Sequence, residues 1–179
     1  MHRTPLLDLL HAYQPHDRDE RAMYKMLRQF VETEPRCFER GLLSGHVTGS
    51  SWIVDRERQH VLLTHHRKLN RWLQLGGHAD GDPDIHRVAL REAREESGLG
   101  ELRPVTEGLF DVDVHAIPAR GDEPRHLHYD VRVLLEADRG APLVISEESH
   151  DLAWVALEDV ARLGADSSVL RMVEKTRAV

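Results

Sequence analysis

Residues 84–99 read DIHRVALREAREESGL, and this stretch decides both the fold and the chemistry that the chain can carry. Asp82 or Asp84 is placed to cap the start of a helix, and Gly98 stands just past its end. The spacing therefore predicts a helix over residues 84–97, following a Gly76-Gly77 pair that predicts a tight turn.

The charges of this helix do not lie opposite its apolar side. On a wheel of about 100° per residue, Ile85, Val88 and Ala89 share one side, and Glu92, Glu95 and Glu96 continue it. The arginines of the segment fall on other parts of the surface: Arg87, Arg91 and Arg94. An ordinary solvated helix would place its charged pairs away from the apolar stripe. We therefore expect the three carboxylates to face inward, where bound cations or protons must relieve their repulsion.

The same segment resembles the Nudix box. The pattern begins at Gly77 and continues, after five residues, at position 83. After seven more residues it ends with REAREESGL at residues 91–99. Eight of the nine positions that the Nudix box specifies match. There are two departures: Pro83 replaces the expected glutamate, for which Asp82 or Asp84 could substitute, and Leu75 replaces a common proline. The resemblance spans about residues 46–160 and implies an α/β/α sandwich with a central mixed β-sheet.

The resemblance also implies roles for particular residues. Glu92, Glu95 and Glu96 would bind Mg²⁺ or Mn²⁺ with the carbonyl of Gly76, because clustered oxygen ligands suit these ions, and Arg91 would orient a carboxylate. The implied reaction is attack of water at phosphorus in the phosphoanhydride of a nucleoside-diphosphate-linked small molecule. Glu148 resembles the family's downstream metal ligand or general base more closely than Glu147 does. The alternative for both is an ordinary exposed acidic loop.

Several further residues are candidates for substrate contact. His65, Arg67 and Lys68 lie where a strand enters the loop before the glycine pair, and Trp72 in that stretch could stack on a base. His78 follows the glycines directly. His126 and His128 share one strand face, and Asp113 and His115 show the same spacing on the preceding strand. If the two strands pair, these four side chains could contact substrate, bind an extra metal or form only a polar sheet face.

The rest of the chain predicts a helical extension over residues 1–40 and a Nudix domain over residues 41–179. Two helices separated by Pro15 are expected within residues 5–34, the second capped by Asp17, and their apolar stripes imply burial on the domain, over the cleft or in a homodimer contact. Strands are expected over residues 47–54, 61–64, 109–117, 129–135 and 152–155, helices over 157–163 and 169–175, and a loop over 120–124.

Composition limits the classes of function. A net charge of −7 argues against general nucleic-acid binding, and no apolar run reaches the length that crosses a bilayer. The N-terminus shows no secretory signal pattern, and Cys37 is the only cysteine, so we expect a cytoplasmic protein without an internal disulfide.

Two other classes of protein also resemble the Nudix pattern and are alternatives to a hydrolase. Isopentenyl diphosphate isomerases use a cysteine near the glycine pair, whereas Cys37 lies well upstream. A non-catalytic Nudix-like ligand sensor often has a degraded box, whereas Glu92, Glu95 and Glu96 are all retained here.

Overall fold

A computed structural model of the protein describes residues 2–121 and 124–179. Its elements, in chain order, are α1 (Thr4–Ala12), α2 (Arg18–Thr33), β1 (Gly45–Val54), β2 (His60–His66), β3 (Arg71–Leu73), β4 (Leu75–His78), α3 (Ile85–Ser97), β5 (Arg103–Pro104), β6 (Asp111–Ile117), β7 (His126–Glu136), β8 (Ser149–Ala156), a 3₁₀ helix (Val160–Leu163) and α4 (Ser167–Thr176). No helix in the described ranges is both long enough and apolar enough to cross a bilayer.

A mixed sheet forms the centre of the molecule. Its main path runs β3-β2-β1-β7-β5, with β4 paired to β1, β6 to β7 and β8 to β2. β1 pairs in parallel with β7 along its whole length and antiparallel with both β2 and β4. All ten residues of β1 are buried, as expected for a strand covered on both faces. The predicted α/β/α sandwich with a mixed sheet is confirmed.

Helix α3 begins and ends where the sequence predicts. Asp84 accepts a hydrogen bond from the backbone N–H of Arg87, and Gly98 ends the helix with a φ of 72°. The helix approaches β1 closely at Gly49, where an added Cβ would lie 2.8 Å from Cγ1 of Val88. This contact fixes α3 on one face of the sheet.

The N-terminal helices pack on that same face. Leu10 of α1 and Leu27 of α2 belong to one hydrophobic cluster with Val47 of β1 and Val88 of α3. Asp17 caps α2 by accepting from the backbone N–H of Glu20, as predicted. Of the three locations left open for these helices, the structure places their apolar sides on the domain. The boundary near residue 40 stays a prediction, and the shared core crosses it.

Helix α4 covers part of the opposite face. Trp52 of β1 and Met172 of α4 are fully buried in a second cluster. The indole N–H of Trp52 donates to the hydroxyl of Thr176 over 2.8 Å, so this Trp is a core residue.

Three local predictions are wrong. The Gly76-Gly77 pair lies inside β4 rather than in a turn, because its backbone pairs with residues 49 and 50 of β1. Trp72 lies on β3 opposite His65 rather than in a loop. The helix expected over 157–163 is only the 3₁₀ helix over Val160–Leu163. Such short elements are formed by pairing or packing and leave little periodicity in the sequence. The loop expected over 120–124 includes residues 122 and 123, which lie outside the described residues.

Candidate active site

Glu96 is the buried carboxylate of the box. Its Oε2 accepts a hydrogen bond of 3.3 Å from the backbone N–H of Gly76. Burial and the charges of Glu92, Glu148 and Glu95 together raise the pKa of Glu96 to about 8, although the Gly76 hydrogen bond opposes this. The predicted downstream residue Glu148 therefore lies within electrostatic reach of the box helix, although it is exposed.

Glu92 lies directly over Gly77. A Cβ on Gly77 would lie 2.6 Å from Cδ of Glu92, so a glycine is required for this approach. Burial raises the pKa of Glu92, and the charges of Glu95 and Asp80 add to the rise, although Arg91 acts in the opposite direction. Nη2 of Arg91 donates to Oε1 of Glu92 over 2.7 Å and to the carbonyl of His78 over 2.8 Å. These contacts place Arg91 where it was expected, against a carboxylate.

The expectation that all three glutamates face inward is wrong for Glu95. Glu96 is buried, Glu92 is half-buried and Glu95 is exposed. Glu95 lies about 100° from Glu96 around the helix axis, at the border of the apolar arc. The spacing of the residues identified the side of α3 that faces β4. It did not show that the buried part of this side is too narrow to include Glu95.

Both neighbours of Pro83 make local contacts in the structure. Asp82 pairs with Nε of Arg87 over 2.7 Å, and Asp84 caps α3. Asp80 also acts on Glu92, since its charge contributes, after that of Glu95, to the raised pKa of Glu92. Asp80 was missed by the sequence analysis, and its only local peculiarity is a left-handed backbone with a φ of 50°.

The carboxylates on α3 have the oxygen donors that a divalent cation such as Mg²⁺ prefers. Gly77 admits Glu92 against β4, and the charges of Glu92 and Glu148 both act on the buried Glu96. Their mutual repulsion raises the pKa of Glu96, and a bound cation would relieve it. Without a cation, the protein tolerates the negative charges of these glutamates poorly, as the raised pKa of Glu96 shows.

The phosphate-contact candidates meet beside Glu148. The backbone N–H of Arg67 donates to the carbonyl of Glu148 over 2.9 Å, and its guanidinium donates to the carbonyl of Ser149 over 3.1 Å. The rings of His65 and Trp72 stack with centroids 5.1 Å apart. Lys68 is exposed in the same loop. The structure thus brings these four candidates to the edge of the sheet that carries Glu148.

His126, His128 and His78 lie on the other face of the sheet. Gly49 and Gly77 approach α3, so the alternating residues Thr48 and Ser50 point away from it. Both hydroxyls donate to Oδ1 of Asp130 on β7, over 2.8 and 2.6 Å. By the same alternation, His78, His126 and His128 share this face.

The two strands that carry these side chains do pair in the structure. β6 pairs with β7 so that Asp113 lies opposite Asp130 and His115 opposite His128. Burial, with the charges of neighbouring histidines, lowers the pKa of His128 to about 2. His46 of β1, opposite His128, joins the same face and was missed by the sequence analysis because nothing near it in sequence marks it.

A family model described as the NUDIX domain matches residues 46–175, most of the chain. The chain belongs to the NUDIX domain family. The family assignment makes this Nudix chain an enzyme of the pyrophosphohydrolase type. A comparison with curated proteins finds no significant match.

Solved structures share the fold of this Nudix domain at low sequence identity. An Ap4A hydrolase of C. elegans has a TM-score of 0.60 at 18% identity, covering 74% of this chain and 95% of its own. The Nudix hydrolase RenU of M. smegmatis has a TM-score of 0.55 at 21% identity, covering 75% and 85%. The dihydroneopterin triphosphate pyrophosphohydrolase of E. coli has a TM-score of 0.55 at 16% identity, covering 72% and 92%.

Cys37 does not support the isomerase rival. Its side chain is fully buried in the cluster formed with the N-terminal helices. Burial raises the pKa of the Cys37 thiol to about 11, so it is neither accessible nor readily ionised.

Proposed function

We propose that this Nudix domain hydrolyses a phosphoanhydride bond in a nucleoside-diphosphate-linked or related small molecule, and that turnover requires Mg²⁺ or Mn²⁺. The observation that carries the proposal is the approach of Glu92 to Gly77 and of Glu96 to the N–H of Gly76, with the charge of Glu148 acting on Glu96. Three carboxylates around closely approached backbone form a set of hard donors for such an ion.

Each residue near the proposed ion has a distinct role. Glu92 and Glu96 would hold the ion with the carbonyl of Gly76, and the exposed Glu95 would join them from the rim. Arg91 acts as a positioning residue, since its guanidinium ties Glu92 to the carbonyl of His78. A bound divalent ion supplies charge neutralisation at the phosphates and acidifies a water molecule.

Glu148 is the proposed general base. It is exposed, so water can reach it, and its charge acts on Glu96. A base in this position takes the proton of the water that attacks phosphorus. The Arg67 contacts hold the segment that carries Glu148 against the end of β2.

The edge beside Glu148 is the proposed place for the substrate. Arg67 and Lys68 supply positive charge for phosphates, and the stacked pair of His65 and Trp72 offers a flat surface for a base. Two of the similar structures are named for Ap4A and for dihydroneopterin triphosphate, which supports a polyphosphate substrate with a ring system. A cytoplasmic location and a homodimer stay predictions from the sequence.

A substrate panel tests the proposal. The full chain is incubated with nucleotide sugars, dinucleoside polyphosphates, ADP-ribose, CDP-alcohols and nucleoside triphosphates in Mg²⁺ or Mn²⁺, and products are separated by chromatography. We expect hydrolysis of at least one class, loss of turnover in excess EDTA, and loss in Glu96→Gln. The matched control is Glu107→Gln, at an exposed glutamate outside the site.

The same panel decides between hydrolase and ligand sensor. Saturable binding without turnover of any compound, in both metals, would favour the sensor. Turnover that persists after chelation, or in Glu96→Gln, would remove the assignment of the metal site.

A further inference from the structure

Three imidazole rings meet on the face of the sheet opposite α3. His46 on β1, His78 on β4 and His128 on β7 come from three neighbouring strands, and their donor nitrogens all lie within 4.8 Å of one another. Among the described residues, the box glutamates form no comparably compact group. This trio is not part of the carboxylate site, because β4 separates the two.

The spacing of the rings matches that of ligands around one ion. The centroids of the three ring pairs are 4.9, 4.9 and 5.1 Å apart. Tetrahedral ligation places each imidazole nitrogen about 2.1 Å from the metal, which puts two ring centroids about 5.2 Å apart. The ring centroids therefore already lie near the spacing that three ligands of one ion would have.

A fourth histidine supports the arrangement from outside the trio. Nε2 of His126 lies 3.2 Å from Nε2 of His128. Nδ1 of His126 lies 2.9 Å from the carbonyl of Pro124, and since a carbonyl only accepts, Nδ1 is the donor. His126 is not one of the three ligands; its contact with Nε2 of His128 helps to set the orientation of that ring, as partners of ligand histidines commonly do.

Burial gives the trio an inner and an outer side. His46 is 1% exposed, whereas His78 and His128 are half-buried. Three protein ligands with one side toward solvent leave a coordination position for water or an oxygen of a bound molecule, as in open zinc sites.

We propose that His46, His78 and His128 form a second metal site, selective for Zn²⁺-like transition ions and distinct from the carboxylate site on α3. The selectivity follows from the donors, since imidazole suits Zn²⁺, Ni²⁺ and Co²⁺ whereas Mg²⁺ prefers oxygen. The two faces of β4 thus serve two ions of different chemistry: Glu92 lies over Gly77 on one face, and the His78 ring lies on the other.

Cobalt titration of the untagged, chelator-stripped full chain tests this site. Co²⁺ is added in a large excess of Mg²⁺, which competes for carboxylates but not for imidazoles. We expect visible absorption that saturates at one Co²⁺ per chain and is displaced by one equivalent of Zn²⁺. His78→Ala and His128→Asn should each weaken binding at least about a hundredfold, and the double variant should abolish it.

Two control variants separate this proposal from the hydrolase assignment. His11→Ala removes an exposed histidine of α1, and Glu96→Gln alters the carboxylate site; both should keep the Co²⁺ spectrum. Absence of the spectrum, its survival in the double variant, or its loss in Glu96→Gln alone would overturn the histidine site, whatever the turnover of the enzyme. A Zn²⁺-induced rise in Tm for the wild type, absent in a folded His128→Asn chain, is the second readout and keeps the test valid if His78→Ala does not fold.

Discussion

At the scale of single residues, Glu96 is a carboxylate whose negative charge the fold tolerates poorly. The side chain is 9% exposed, and besides the Gly76 N–H its surroundings include the charges of Glu92, Glu95 and Glu148. Burial and the neighbouring negative charges both raise the pKa of Glu96, and a bound cation would act to lower it. The metal-free protein should therefore show this strain as a pH dependence of stability.

We expect Glu96→Gln to raise the Tm of the metal-free protein at alkaline pH. The folded pKa of about 8 lies above the ordinary value of 4.5, so the stability that protonated Glu96 contributes is complete below pH 4.5. It is lost as the pH rises toward and through 8. The variant should gain about 2 kcal/mol, or about 6 °C, at pH 9 in EDTA and almost nothing at pH 4. Scanning calorimetry at both pH values measures this, and an equal gain at both, or a gain in Glu107→Gln, contradicts it.

Glu148→Gln should change the pH profile of turnover rather than the fold. If Glu148 takes the proton of the attacking water, its amide lowers kcat by about a hundredfold or more and removes the acidic limb of the profile. Glu147→Gln is the matched control, at the adjacent exposed glutamate. Steady-state rates between pH 5 and 10 test the role, and an unchanged limb in Glu148→Gln would assign the base elsewhere.

At the scale of elements, β4 organises the site. This four-residue strand pairs with β1 over residues 48–51 and offers its two faces to different neighbours. Gly76 faces Ser50 so closely that an added Cβ would lie 2.6 Å from the Ser50 Cα. Gly77 faces Glu92 on α3 instead. Gly76 therefore allows β4 to lie close to β1 within the sheet, and Gly77 allows Glu92 of α3 to lie close to β4.

Gly77→Ala should reduce turnover while the chain stays folded. The added methyl group meets the flexible end of Glu92 rather than backbone, so the carboxylate moves and the sheet does not. A displacement of about 1 Å at a catalytic group lowers kcat by about a hundredfold. Gly108→Ala is the control, since a Cβ there meets nothing within 4 Å. Parallel measurements of kcat and Tm decide, and a rate within twofold of wild type would show that the close approach has no catalytic role.

At the scale of the whole molecule, a buried ion network ties both ends of the chain to the sheet. Glu20 of α2 accepts from Lys175 of α4 over 2.7 Å and is also hydrogen-bonded by the hydroxyl of Tyr13. Lys175 reaches Asp111 of β6 over 3.1 Å, and Arg171 donates to the same carboxylate over 2.8 Å. Burial alone would raise the pKa of Asp111, but the Arg171 hydrogen bonds and nearby cations hold it below its ordinary value. The N-terminal helices are thus joined to the domain by charge as well as by apolar packing.

Glu20→Gln should destabilise the whole fold. Removing one charge from a buried set leaves its partners uncompensated, which costs about 3 kcal/mol. Glu32→Gln, which breaks the exposed Arg28–Glu32 pair, should cost less than about 1 kcal/mol. Urea unfolding of the two variants provides the comparison, and equal midpoints would show that the network contributes nothing specific to the junction between helices and domain.

The box helix, its Asp84 cap, its Gly98 exit, the main strands and the family could all be predicted from the amino-acid sequence. These features are local: caps, periodicity and fixed spacing lie within a few residues of one another, so they can be read along the chain. The folded molecule was needed to show that residues 75–78 are a strand, that Glu95 is exposed, that the charge of Asp80 acts on Glu92, and that His46 meets His78 and His128. These outcomes depend on the register between distant strands and on how closely a helix lies on a sheet. Both are set by packing across the whole core, which cannot be predicted from any short segment of the sequence.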